Sequence, residues 1–157
     1  MCHHCNYAEM LSNAGLSITG HRLRILEVVG NNNNPLSAAD IFETLRRSCS
    51  INRVTVYRIL ETLVGKGIVE RLSGGGRAFF YGLAPNARHH PHPHFYCRQC
   101  GRMDCLHPGS IAMDLAAFRR IFPGRIQHVE VRVDGVCQGC LRGAKSEQAE
   151  LSGAGAE

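Results

Sequence analysis

The stretch HHPHPHFYCRQCGRMDCLH, residues 89–107, holds five histidines and three cysteines, side chains suited to binding metal ions. Cys97 and Cys100 form one CxxC pair, and Cys137 and Cys140 form a second further along the chain. A CxxC turn brings two thiolates within reach of one ion. Two such turns supply the four-sulfur tetrahedron that zinc takes in structural sites, about one ion per subunit. The 36 residues between the pairs are expected to form a helix and a strand whose ends the metal ties together. The same cysteines also admit a redox CxxC, which usually stands alone near a βαβ pattern, or two disulfides. The paired spacing favours structural zinc.

Four sulfurs saturate one zinc and leave His89, His90, His92, His94, Cys105 and His107 without a role. His90, His92 and His94 alternate with prolines in an extended segment, where every second side chain projects to a similar side. Two imidazoles with a thiolate or carboxylate make an adequate zinc set, and mixed nitrogen and sulfur ligation selects against hard cations. The competing reading is a solvent-exposed, histidine-rich hinge with adventitious metal affinity. Cys105 alone would more often be a small buried apolar side chain, but it closely follows the CxxC strand and is a candidate ligand. The cluster Cys2 to Cys5 (CHHC) reads as a frayed terminus, and Cys49 reads as core.

The elements that must position these ligands divide the chain at Pro85, Asn86 and Pro91. Residues 7–72 read as helices joined by short loops. Thr19 is a candidate N-cap for a helix ending at Gly30, and Ser37 opens another with Asp40 at the third position. A third helix starts near Asn52 and stops at Gly67, with Val56, Ile59, Leu60 and Leu63 on the face turned to a core. Two apolar runs around SGGGR then predict a hairpin. Three helices and a hairpin make a winged helix-turn-helix, whose second helix would present Arg53, Thr55, Tyr57 and Arg58 to a DNA groove. A plain helical bundle with a surface tyrosine and arginines fits the same pattern.

Beyond the hinge the expectation is a strand at 94–97, a helix at 110–122 and a strand at 126–133. The fold class is therefore α+β: a winged-helix domain over 1–84, a hinge over 85–94 and a small zinc-containing α/β domain over 95–143, which the resemblance described below marks as a dimerisation domain. Residues 144–157 are expected to be a disordered tail.

Bulk properties set the outer bounds. The 157 residues suffice for one or two small domains, and the net charge of +5 is compatible with nucleic acid without being diagnostic of it. No apolar run of about 18 residues predicts a membrane span. The N-terminus lacks the basic start and apolar core of a signal peptide, so a cytoplasmic location is expected. No Ser/His/Asp constellation or HExxH helix points to an enzyme.

Taken together, GLSITGHRLRILEVV, LSAADIFETL, INRVTVYRILETLVGKGIVERL, HPHFYCRQCGRMDC and VDGVCQGC resemble, in order, the ferric uptake regulator family of metal-sensing bacterial repressors. The resemblance implies a homodimer that binds palindromic double-stranded operator DNA, with a regulatory metal between a winged helix and a dimerisation domain. It carries the family's DNA-contacting tyrosine and neighbouring arginine onto Tyr57 and Arg58. Its structural zinc falls on Cys97, Cys100, Cys137 and Cys140, and its regulatory histidines fall on His92 and His94. Glu70 and Cys105 receive two further ligand positions.

Several family positions differ here. Pro35 and Gly82 stand where ligands are common, and Pro91 and Pro93 take two ligand positions of the family's second dimerisation-domain site, leaving His128 without companions. The hinge site is thereby expected to consist of Glu70, His92, His94 and Cys105, with His90 in reserve. A thiolate in that set favours zinc over iron. The function implied is a zinc-loaded repressor of zinc-uptake genes. An iron- or peroxide-responsive regulator, a zinc carrier without DNA and a thiol-redox protein are the alternatives.

Overall fold

A computed structural model describes residues 6–75, 78–87, 89–112 and 114–143. Expectations on Cys2 to Cys5 and on residues 144–157 therefore lie outside the described residues. The N-terminal half contains α1 (Tyr7–Asn13), α2 (Gly20–Asn31), β1 (Leu36–Ser37), α3 (Ala38–Leu45), α4 (Arg53–Gly65), β2 (Val69–Ser73) and β3 (Phe79–Leu83). Local chemistry sets the helix starts. The side chains of Thr19, Ser37 and Asn52 accept hydrogen bonds from the backbone N–H of Arg22, Asp40 and Thr55, respectively, each satisfying a donor that the first helical turn leaves unpaired. After α4 the chain turns at Gly67, whose φ of +68° lies in the left-handed region that glycine tolerates best.

The apolar faces meet in one core. Ile25 and Leu26 of α2, Ile41 of α3, and Val56, Leu60 and Leu63 of α4 are fully buried there. Tyr81 and Leu83 of β3 pack against them. Truncating one such leucine to alanine costs about 2–5 kcal/mol. Strands β1, β3 and β2 form an antiparallel sheet in that order. The predicted hairpin is β2–β3, closed by the Gly74 N–H donating to the Ala78 carbonyl. Strand β1 was not expected. Two residues are too few for a periodic pattern, and it exists by pairing Leu36 with Tyr81.

The second half contains β4 (His94–Cys97), β5 (Met103–Cys105), α5 (Leu115–Ile121) and β6 (Arg132–Gly135), with sheet order β5-β4-β6. Strand β4 matches the expectation, and the other elements correct it. The helix expected over 110–122 begins only at Leu115, because Asp114 caps it through the Ala117 N–H at 2.8 Å. The strand expected over 126–133 is shifted to 132–135, because parallel pairing with β4 selects its residues, from His94 opposite Arg132 to Cys97 opposite Gly135. Strand β5, too short to show alternation, pairs antiparallel with β4.

The two halves touch along the hairpin. Leu72 and Phe80 pack with Met103 and Tyr96 in a second small cluster. The Ser73 N–H donates to the Glu130 carboxylate at 2.9 Å, and the Arg132 guanidinium donates to the Ser73 carbonyl at 2.7 Å. The side chains of Asn34 and Asp104 add a hydrogen bond of 2.9 Å.

Candidate metal centres and nucleic-acid interface

The four CxxC cysteines converge. Parallel pairing of β4 with β6 places Gly135 beside Cys97, and two residues later the chain brings Cys137 to the same point. Gly101, with φ at +74°, closes the first turn by donating its N–H to the Cys97 carbonyl. The four sulfurs lie within 4.8 Å of one another, with Cys97–Cys140 and Cys100–Cys137 both at 3.9 Å. A zinc tetrahedron with Zn–S bonds near 2.3 Å has edges of about 3.8 Å, so the cluster fits such an ion. All four are free thiols. Backbone N–H groups of Cys100 and Cys137 stabilise the Cys97 thiolate and push its pKa down to about 6, a chemistry suited to metal ligation.

A second cluster sits between the halves. His92, His94 and Cys105 offer ligand atoms within 4.8 Å of one another. His94 and Cys105 face each other across β4 and β5. With Glu70 and His89, they line a cavity of about 210 Å³. His94 is only 4% exposed, and its burial, with His92 and His89 nearby, lowers its pKa to about 4. It is therefore neutral at physiological pH, as a ligand must be.

The tautomer of His92 follows from its surroundings. Its Nδ1 lies 2.9 Å from the His90 carbonyl, an acceptor only, so Nδ1 carries the proton. In the neutral ring the lone pair is then on Nε2, which is buried and has no hydrogen-bond partner among the described residues. A second-atom contact of this kind is how ligating imidazoles are oriented toward metals. Burial and the Glu70 carboxylate push the Cys105 thiol up to about 11. Burial also raises the pKa of Glu70, which His128 partly offsets. At neutral pH the Cys105 thiol thus keeps its proton, which a divalent ion would displace.

His90, expected in reserve, is not brought to this site. It is exposed and absent from the cavity wall, and His89 takes the inward place. The alternation that relates His92 to His94 does not extend back to His90, because Asn86 and His89 bridge through their backbones and turn the chain. His89, left without a role in the sequence analysis, lines the cavity for that reason. His128 lines a neighbouring cavity with Glu130 and Glu70 instead.

Helix α4 presents its outer face to solvent. Arg53, Tyr57 and Arg58 are exposed, whereas Thr55 is half-buried and its N–H is committed to the cap. The Arg53 guanidinium lies 5.2 Å from the Phe42 ring centre, which steadies it beside the helix start. Val54, 59% exposed at the same end, was not among the expected contacts. An apolar side chain in that place suits a thymine methyl, but nothing in a polar helix start singles it out.

The comparisons agree with this architecture. A ferric uptake regulation protein of Haemophilus influenzae is 35% identical over 97 residues, covering 60% of this chain and 64% of that protein. The chain thus matches just under two thirds of that relative's length. The crystal structure of the Vibrio cholerae ferric uptake regulator superposes with a TM-score of 0.65 at 26% identity, covering 83% of this chain and 98% of the other. A structure of holo XcZur gives a TM-score of 0.58 at 25% identity, covering 85% and 93%. No helix among the described residues is long and apolar enough to cross a membrane. With a family model matching residues 13–120, the chain belongs to the ferric uptake regulator family.

Proposed function

We propose that the protein is a metal-dependent transcriptional repressor, not an enzyme, which binds palindromic operator DNA as a homodimer when zinc occupies the hinge. One observation carries the reading. Glu70 of β2 faces the same cavity as His92, His94 and Cys105 of the second half, so one ion there draws on both halves at once. Tying them together biases the orientation of α4, with Tyr57, Arg58 and Arg53 as DNA contacts and Thr55 at their edge. The ligands would act by favouring one pre-existing arrangement, by as much as their differential affinity for it. Cys97, Cys100, Cys137 and Cys140 would hold a separate structural zinc.

Zinc is favoured as the sensed metal by the ligand chemistry, two imidazoles, a thiolate and a carboxylate. Control of zinc-uptake genes follows from that choice, and a repressor that must reach operator DNA acts in the cytoplasm. An iron-responsive regulator is the second reading, because the curated relative from Haemophilus influenzae is a ferric uptake regulation protein. The homodimer is supported by apolar side chains left exposed on the second half, among them Phe118, Ile121 and Val133. Elemental analysis before and after mild chelation, beside binding to duplexes selected from a random library, tests the reading. The expected result is about two zinc ions per chain, of which the removable one controls binding. Binding that survives chelation, or that only iron restores, overturns it.

A further inference from the structure

Three ligands do not complete a tetrahedral site, and the cavity wall offers two candidates for the fourth, Glu70 and His89. His89 is held in place from both directions. The Asn86 N–H donates to the His89 carbonyl at 2.8 Å, and the His89 N–H donates back to the Asn86 carbonyl at 3.1 Å. The Asn86 side-chain oxygen accepts from the same N–H at 3.1 Å. The half-buried ring then stands edge-on to His92 with centroids 4.9 Å apart, and His92 continues to His94 at 4.6 Å. Three imidazoles therefore run in contact along one wall, with Cys105 at the end.

We infer that His89 is a ligand of the hinge site and competes with Glu70 for the fourth position. This rests on the hinge reading above and adds a loading state to it. Every member of the set His89, His92, His94 and Cys105 belongs to the hinge or to the second sheet. His89 lies outside the group that His92, His94 and Cys105 form within 4.8 Å, so its ring closes in on them when those four take up a zinc ion without involving the DNA-binding half. Glu70 belongs to β2, so its entry in place of His89 is the step that couples the two halves. An imidazole and a carboxylate both suit zinc, so the exchange needs no change of metal or oxidation state. The Cys105 thiol gives up its proton when the ion is first taken up, and the exchange then replaces one metal–nitrogen bond by one metal–oxygen bond.

The test uses the full chain with zinc first bound at the four-cysteine cluster, then cobalt(II) as the hinge probe. Tetrahedral cobalt absorbs strongly in the visible and shows a sulfur charge-transfer band, whereas octahedral cobalt absorbs weakly. Glu70→Gln is expected to keep the intense tetrahedral spectrum. Glu70→Gln combined with His89→Ala is expected to lose most of that intensity and at least about tenfold in cobalt affinity, roughly 1.4 kcal/mol. His90→Ala, at an exposed neighbour, should change neither. If the double variant matches Glu70→Gln, His89 is not a ligand and the inference falls while the hinge site stands. If the unaltered protein shows no cobalt–sulfur band, the hinge reading and the inference fall together. Circular dichroism of each variant separates ligand loss from unfolding, and His89→Gln provides a milder replacement.

Discussion

His94 and Cys105 are register partners across the antiparallel β4–β5 pair, so an imidazole and a thiol sit side by side on one strand ladder. The next strand on the other side of β4 pairs Arg132 with His94, and Arg132 in turn holds the Ser73 carbonyl of the β2–β3 hairpin. The cluster of His92, His94 and Cys105 is thereby linked to the N-terminal half through two backbone ladders and one guanidinium.

Cys105→Ser tests the sulfur. Serine keeps the shape but offers a harder, far less acidic ligand. The variant is expected to keep the four-cysteine zinc while losing the cobalt–sulfur band assigned to the hinge. Equal hinge affinity in both proteins would show that the thiolate is no ligand.

Metal uptake at the hinge should depend on pH in a specific way. The Cys105 thiol lies near 11 and His94 near 4. Between about pH 7 and 9 the thiol therefore releases its proton on binding while His94 has none to give. Apparent zinc affinity should rise close to tenfold per pH unit there, and Cys105→Ser should flatten the slope. Calorimetry in buffers of different ionisation enthalpy would count the released proton.

The stability of the hinge-empty protein should fall on acidification. His94 has its pKa lowered from 6.5 to about 4 in the fold, so the unfolded chain binds that proton first as pH falls. The contribution is fully present above 6.5 and is lost from there down to about pH 4, by up to ~3 kcal/mol. Denaturant titrations of His94→Gln should show a shallower pH dependence over that window.

Cys97→Ser should remove the structural ion. Cys97 is fully buried, and its sulfur also accepts the Cys137 N–H at 3.3 Å. Loss of about one zinc per chain, with dissociation of the dimer, is the expected outcome by elemental analysis and light scattering. An unchanged dimer of full zinc content would remove the structural role.

On the DNA face, Arg58→Ala should lower the slope of log affinity against log salt by about 1 if Arg58 meets a phosphate. Tyr57→Ala should weaken sequence-specific binding with zinc content intact. Salt titrations of a selected duplex against a random one read both effects.

The wing contact makes a separate prediction. Arg132→Ala deletes the donor to the Ser73 carbonyl and the ion pair with Asp134. Amide exchange around Ser73 should accelerate at unchanged zinc stoichiometry, and exchange as slow as in the unaltered protein would show that the guanidinium does not hold the hairpin.

Local chemistry explains what the sequence by itself determined. Capping residues and helical spacing located α2, α3 and α4, because both act within a few residues. Paired CxxC turns announced the four-sulfur cluster, because adjacent thiolates have few other uses together. Strands β1 and β5 are two and three residues long, too short to leave a periodic trace, and β6 takes its bounds from β4 rather than from its own pattern. The choice of His89 over His90 was decided by a backbone bridge to Asn86, which reverses the parity of an extended segment. The sequence reading brought Glu70 to the hinge by resemblance alone. Its approach to His94 and Cys105 depends on how two sheets pack across Leu72, Phe80 and Met103, and no local pattern encodes a contact between residues so far apart.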